Sequence, residues 1–71
     1  MKIKVIAPFE IKGRDKDDCL ELPEGSRVRD VAMKSPVGLI IPVFVNGEQA
    51  KISQMLKDGD VVVFVGPMRG G

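Results

Sequence analysis

The residues best suited to chemistry are the last six, Gly66-Pro67-Met68-Arg69-Gly70-Gly71, which follow the most strongly β-forming run of the chain, 61–65. Glycine loses the most backbone entropy on ordering and has no side chain to pack, so a double glycine is a poor end for a structural element. As a tail it offers a thin strip of backbone ending in a carboxylate, with no Cβ on its last two residues to block a narrow channel. At about 3.3 Å per extended residue, six residues could carry that carboxylate about 20 Å from the body, far enough to enter another protein's active site. A frayed, inert terminus is the alternative. Other candidate chemistry is weak. The chain has no histidine, which removes Ser/His and Cys/His nucleophiles, and Cys19 falls in an expected strand, where a packing role is the simpler reading. Asp15, Asp17 and Asp18 lack calcium-loop spacing and its distal glutamate, so a solvated loop is expected and no metal site. There is no glycine-rich loop opening a helix, so any nucleotide is expected to bind a partner instead.

A chain of 71 residues makes one domain and buries only about 60% of the surface its unfolded form exposes, so the core must be small. Apolar residues at 44% and charged ones at 30% give a globular balance. Lys+Arg 11 against Asp+Glu 10, a net charge of +1, leaves no basic footprint for nucleic acid. The N-terminal residues lack a signal-peptide core, and the longest apolar stretch, 37–45, has nine residues, too few to span a membrane. With a single cysteine and therefore no intramolecular disulfide, the expectation is a cytoplasmic protein.

The elements that would position the tail follow from periodicity. Residues 2–7 alternate, with Ile3 and Val5 on one face of a half-buried strand. Residues 9–18 carry Gly13 and a run of charges without apolar periodicity, and read as a loop. Residues 19–22 resume a strand with Leu20 and Leu22 on one face, closing a first hairpin. Pro23-Glu24-Gly25 is turn chemistry, Ser26 a candidate helix cap, and Val28, Val31 and Ala32 lie at helical spacing in a short helix over 27–34 that Ser35-Pro36 ends. Residues 39–45 are β-forming, with Pro42 confining the strand's start to an edge or a bulge. Asn46-Gly47 is the strongest hairpin signal, returning into 48–51. Ile52, Met55 and Leu56 form one helical turn or a tucked loop, and Asp58-Gly59-Asp60 turns the chain into the final strand. The first and last strands should be parallel central neighbours, since the helix supplies the crossover such pairing needs. This is the β-grasp order.

The stretch 22–31, LPEGSRVRDV, resembles the turn and helix start of the MoaD/ThiS-like sulfur carriers. Val45-Asn46-Gly47, then Asp58-Gly59-Asp60, five strand residues and Gly70-Gly71 are similar to the rest of their pattern. The resemblance covers essentially the whole chain. It implies an α+β fold, a ubiquitin-like β-grasp with a mixed four- to five-stranded sheet on one helix, as residues 1–66, with 67–71 as a flexible tail. It also implies a non-enzymatic carrier whose Gly71 carboxylate is adenylated by a ubiquitin-activating-type enzyme and converted to a thiocarboxylate, with Gly70 as the clearance residue beside it. ATP would be consumed by that partner, and no cofactor need bind this chain. A sulfur donor protein and an acceptor synthase would complete the partners, in thiamine or molybdopterin-type cofactor biosynthesis. The first loop is too short for the extra helix of many molybdopterin-synthase small subunits. Arg69 stands where the thiamine-pathway carriers usually have a small or apolar residue, and Met68-Arg69-Gly70-Gly71 is similar to ubiquitin's own ending. A ubiquitin-like modifier joined through Gly71 and a non-covalent β-grasp binding module therefore stand as alternatives.

Alternation in the last strand divides its side chains, with Val62 and Phe64 facing the core in the family register. One short helix covers one sheet face only, so Val61, Val63 and Val65 are expected on the open face, forming with Pro67, Met68 and Arg69 the surface that meets a partner. Closure of the 8–18 loop over these valines is the alternative.

Overall fold

The computed structural model describes residues 1–35 and 38–65. Its elements run β1 (Lys2–Ile6), β2 (Cys19–Glu21), α1 (Val28–Ala32), a 3₁₀ turn (Gly38–Ile40), β3 (Val43–Val45), β4 (Glu48–Ala50) and β5 (Val61–Phe64). The sheet order is β2-β1-β5-β3-β4, with β1 and β5 parallel and every other pair antiparallel. The parallel pair is centred on Val5 opposite Val62. Its crossover is the segment carrying α1, which lies on one face of the sheet, and among the described residues no helix covers the other. This is the expected β-grasp.

Strand parity follows the sequence. Ile3 and Val5 of β1, Leu20 of β2, Val43 and Val45 of β3, and Val62 and Phe64 of β5 are buried on the face that α1 covers with Val28, Val31 and Ala32. Burying a valine, isoleucine or phenylalanine is worth about 1.5–3 kcal/mol each, so this one layer supplies most of the drive to fold. The charged 9–18 segment is a loop, as expected, yet it contributes to the core. Ile11 is buried, and the Phe9 ring meets Phe64 edge-on with centroids 5.6 Å apart. No periodicity marks an isolated apolar residue in a charged loop, which is why the sequence pattern passes over it.

Three boundaries differ from expectation. The helix covers only 28–32, and Ser26 does not cap it: its hydroxyl donates to Pro23 O at 2.8 Å and ties the 23–26 turn. The cap is assembled from elsewhere. Asp30 Oδ2 accepts from Arg27 N at 2.8 Å, while the N–H groups of Val28 and Arg29 donate to Gln54 O (2.9 Å) and Ile52 O (2.8 Å). The 52–56 segment is thus a tucked loop, anchored by buried Leu56, whose carbonyls satisfy donors that every helix start leaves open. Finally, residues 39 and 40 belong to the 3₁₀ turn, and β3 begins only after Pro42, whose ring nitrogen has no hydrogen to give to the ladder.

Candidate functional site

The site is built on β5, because this strand leads into the Gly-Gly tail. Two turns hold its start. The Asn46-Gly47 hairpin has positive φ at both residues, 52° and 88°, the geometry of a two-residue turn matched to strand twist. The Asn46 side chain then reaches across the sheet: Oδ1 accepts from Val61 N at 3.0 Å, and Nδ2 donates to Asp60 Oδ1 at 3.0 Å. Asp60 is buried, and its other oxygen accepts from Lys57 N at 2.8 Å. Both carboxylate oxygens are therefore paired, as burial of a charged group demands. The neighbouring Asp58 Oδ1 accepts from Lys2 N at 2.6 Å, fastening the same turn to β1.

Beyond this anchor the open face takes shape. Val61 and Val63 are half-buried and Val65 is 37% exposed, while Val62 and Phe64 are 0% and 2% exposed on the opposite side. The three expected outward valines thus do face away from the core. Register adds two residues that the sequence pattern does not select. Val63 stands between Ile6 of β1 and Phe44 of β3, and both alternate outward on their own strands. Ile6 is 44% exposed and Phe44 half-buried. The parity that exposes them is legible in each strand, but their union into one patch with Val63 depends on pairing between strands far apart in sequence. Lys4 lies one row below, between Cys19 and Val61.

The 8–18 loop does not close over the patch; its apolar members, Phe9 and Ile11, turn toward the core instead. Arg14 holds the loop to the sheet end by donating to Val5 O (3.0 Å) and Phe9 O (3.4 Å). Asp15 seals the outer edge of β2: its Oδ1 accepts from Asp17 N (2.8 Å) and Cys19 N (2.9 Å), while its own N–H donates to Cys19 O (2.9 Å). The backbone hydrogen bond from Cys19, then that from Asp17, lowers the Asp15 carboxyl below its ordinary value, with Lys2 adding a smaller attraction. Asp15 and its neighbours are thus a structural loop, and the described residues contain no group of three His, Cys, Asp or Glu that could hold a metal. The Cys19 thiol is half-buried, 3.7 Å from Asp17 O.

A shallow groove of about 580 Å³ lies on the covered side, between the 23–26 turn and α1. Lys12 and Lys34 line it together with Glu24 and Asp30. These charges cancel, so the groove selects no sign of ligand. No helix among the described residues is long and apolar enough to cross a membrane. The remaining expected site residues, Pro67, Met68, Arg69, Gly70 and Gly71, lie outside the described residues.

No family model matches this chain, and no curated protein does. Among solved structures, the chain is similar to the crystal structure of SAMP1 from Haloferax volcanii, at 16% identity and a TM-score of 0.69 over 100% of both chains. At that identity the likeness speaks to fold. With the parallel β1–β5 pair at the centre of a mixed sheet and one α-helix among the described residues, the chain folds as a ubiquitin-like β-grasp.

Proposed function

We propose that this protein is a sulfur carrier and not itself an enzyme. In this reading a ubiquitin-activating-type enzyme adenylates Gly71, and the product is converted to a thiocarboxylate for thiamine or molybdopterin-type cofactor biosynthesis. The observation that carries the reading is the coincidence, on one strand, of an uncovered apolar face and the run into Gly70-Gly71. The ubiquitin-like fold shared with SAMP1 supports the general class. A carboxylate is a poor acyl donor because its charge repels nucleophiles. In the partner's site the Gly71 oxygen attacks the α-phosphorus of ATP and pyrophosphate leaves; free hydrosulfide, made available by the sulfur donor, then attacks the Gly71 carbonyl carbon, AMP departs with the bridging oxygen and the S–H proton is released, leaving the thiocarboxylate. This chain contributes no catalytic side chain to either step. It contributes Gly70 and Gly71, slender enough to thread a channel, and a docking surface of Val61, Val63 and Val65 extended by Ile6 and Phe44, with Pro67, Met68 and Arg69 lining the way in. ATP stays with the partner.

The Met68-Arg69-Gly70-Gly71 ending favours one second reading, a protein modifier in which the same adenylate is passed to a lysine. Intact mass spectrometry of protein made in its native cell separates the two. A carrier shows one oxygen replaced by sulfur at the C-terminus, whereas a modifier is recovered as covalent adducts on other proteins. Removing Gly71, or Gly70 and Gly71 together, is expected to abolish adenylation with the melting temperature unchanged. Full adenylation of the shortened chain would sink the proposal.

A further inference from the structure

The turn between β3 and β4 carries the groups for a reaction of its own. Asn46 is followed directly by Gly47, and both are exposed. A main-chain nitrogen can attack the side-chain amide of the residue before it and close a five-membered ring, and glycine offers the least crowded nitrogen because it has no Cβ. The space around Gly47 is open: a Cβ placed there would meet nothing within 4 Å. Water and hydroxide therefore reach the atoms that would react.

Folding opposes the attack. Asn46 N donates to Val61 O at 2.8 Å, and Val61 N donates back to Asn46 Oδ1 at 3.0 Å. The side-chain oxygen thus stands in for a main-chain carbonyl and extends the β3–β5 ladder one rung past Val45 and Val62. Nδ2 donates to Oδ1 of buried Asp60 at 3.0 Å. Ring closure expels Nδ2, so the Asp60 bond is lost outright, and it fixes the side chain in a ring, so Oδ1 loses the freedom to meet Val61 N. A buried carboxylate oxygen left without its donor is costly, and the fold resists that outcome.

We infer that Asn46 is a site of self-modification by deamidation, held back in the folded domain by its bonds to Val61 and Asp60, and that the modified turn loosens the entry of β5. In the reaction Gly47 N loses its proton to hydroxide and bonds to Cγ of Asn46; the Cγ–Nδ2 bond breaks and ammonia leaves, taking a proton from water. Water then opens the ring at either carbonyl, so the net change consumes water, releases ammonia and needs no oxidant or reductant. One product is aspartate, which sets a second carboxylate against Asp60 where a donor stood. The other is isoaspartate, which routes the main chain through the side-chain carbons and lengthens a turn whose two residues are matched to the strand twist.

The test follows the full chain in mildly alkaline buffer, with and without urea, by peptide mapping that locates acid at residue 46 and separates aspartate from isoaspartate. The unfolded chain in urea is expected to deamidate at Asn46, and the folded chain to do so about tenfold or more slowly, the effect of two side-chain hydrogen bonds. Asp60→Ala, shown to be folded by circular dichroism, should deamidate faster than folded wild type. The aspartate form, isolated by anion exchange or made as Asn46→Asp, should melt at a lower temperature and exchange its Val61 amide hydrogen faster than wild type. No acid at residue 46 in urea overturns the site. Equal rates with and without urea, or a folded Asp60→Ala no faster than wild type, overturn the hold. Unchanged melting and Val61 exchange in the aspartate form overturn the loosening of β5.

Discussion

Asn46 meets three separate demands at once. It adopts φ 52°, accepts from Val61 N and donates to buried Asp60. Asn46→Ala removes both side-chain bonds, leaves one carboxylate oxygen short of a donor and places alanine in the left-handed region. We expect a loss of about 2–3 kcal/mol, read from the denaturant midpoint. Asp15 acts in the opposite way, at the surface and through charge. Its carboxyl is lowered in the folded state by hydrogen bonds from Cys19 and Asp17, so its contribution is present above the unfolded-state value and fades as pH falls through the folded one. Asp15→Asn should be less stable than wild type at neutral pH, with the two curves converging in acid. A gap that stays constant to the acid limit would show that the amide geometry matters and the charge does not.

At the scale of elements, β5 sorts its valines by consequence. Val62→Asp places an unpaired charge in a fully enclosed site, a cost of about 3–5 kcal/mol that rivals the whole stability of a small domain. Val63→Asp lies on the open face and is expected to cost about 1 kcal/mol while weakening the enzyme's hold on the chain. Thermal melts of the two variants check the facing, and the reverse order of damage would falsify it. Asp30→Ala removes the carboxylate that receives Arg27 N and should cost about 1 kcal/mol. How much of this could be read in advance depends on the range of the interactions. The hairpin at Asn46-Gly47, the inward set Ile3, Val5, Val62 and Phe64, and the outward set Val61, Val63 and Val65 follow from local turn chemistry and period-two alternation. The helix cap could not be read that way, because the carbonyls of Ile52 and Gln54 come from more than 20 residues away along the chain and displace Ser26 from the role its type suggests. Ile6 and Phe44 were missed for the same reason: each alternates visibly, but only sheet register sets them beside Val63. The tail, where the proposed chemistry resides, was identified by composition alone.

For the molecule as a whole, the strand that runs into the proposed reactive tail is the central strand of the five. It is flanked on both sides, parallel to β1 and antiparallel to β3, and its entry is pinned by Asn46 and Asp60. This has a mechanical meaning. A partner drawing the chain into a channel beyond Val65 pulls β5 along its own axis, so the hydrogen bonds to both neighbours are loaded together, in shear, and cannot be opened one at a time like a zipper. An edge strand in the same position would peel. The domain can thus be pulled from residue 65 without being unravelled, and single-molecule pulling there against an anchor on β1 should meet a sharp, high-force rupture, with little extension before it.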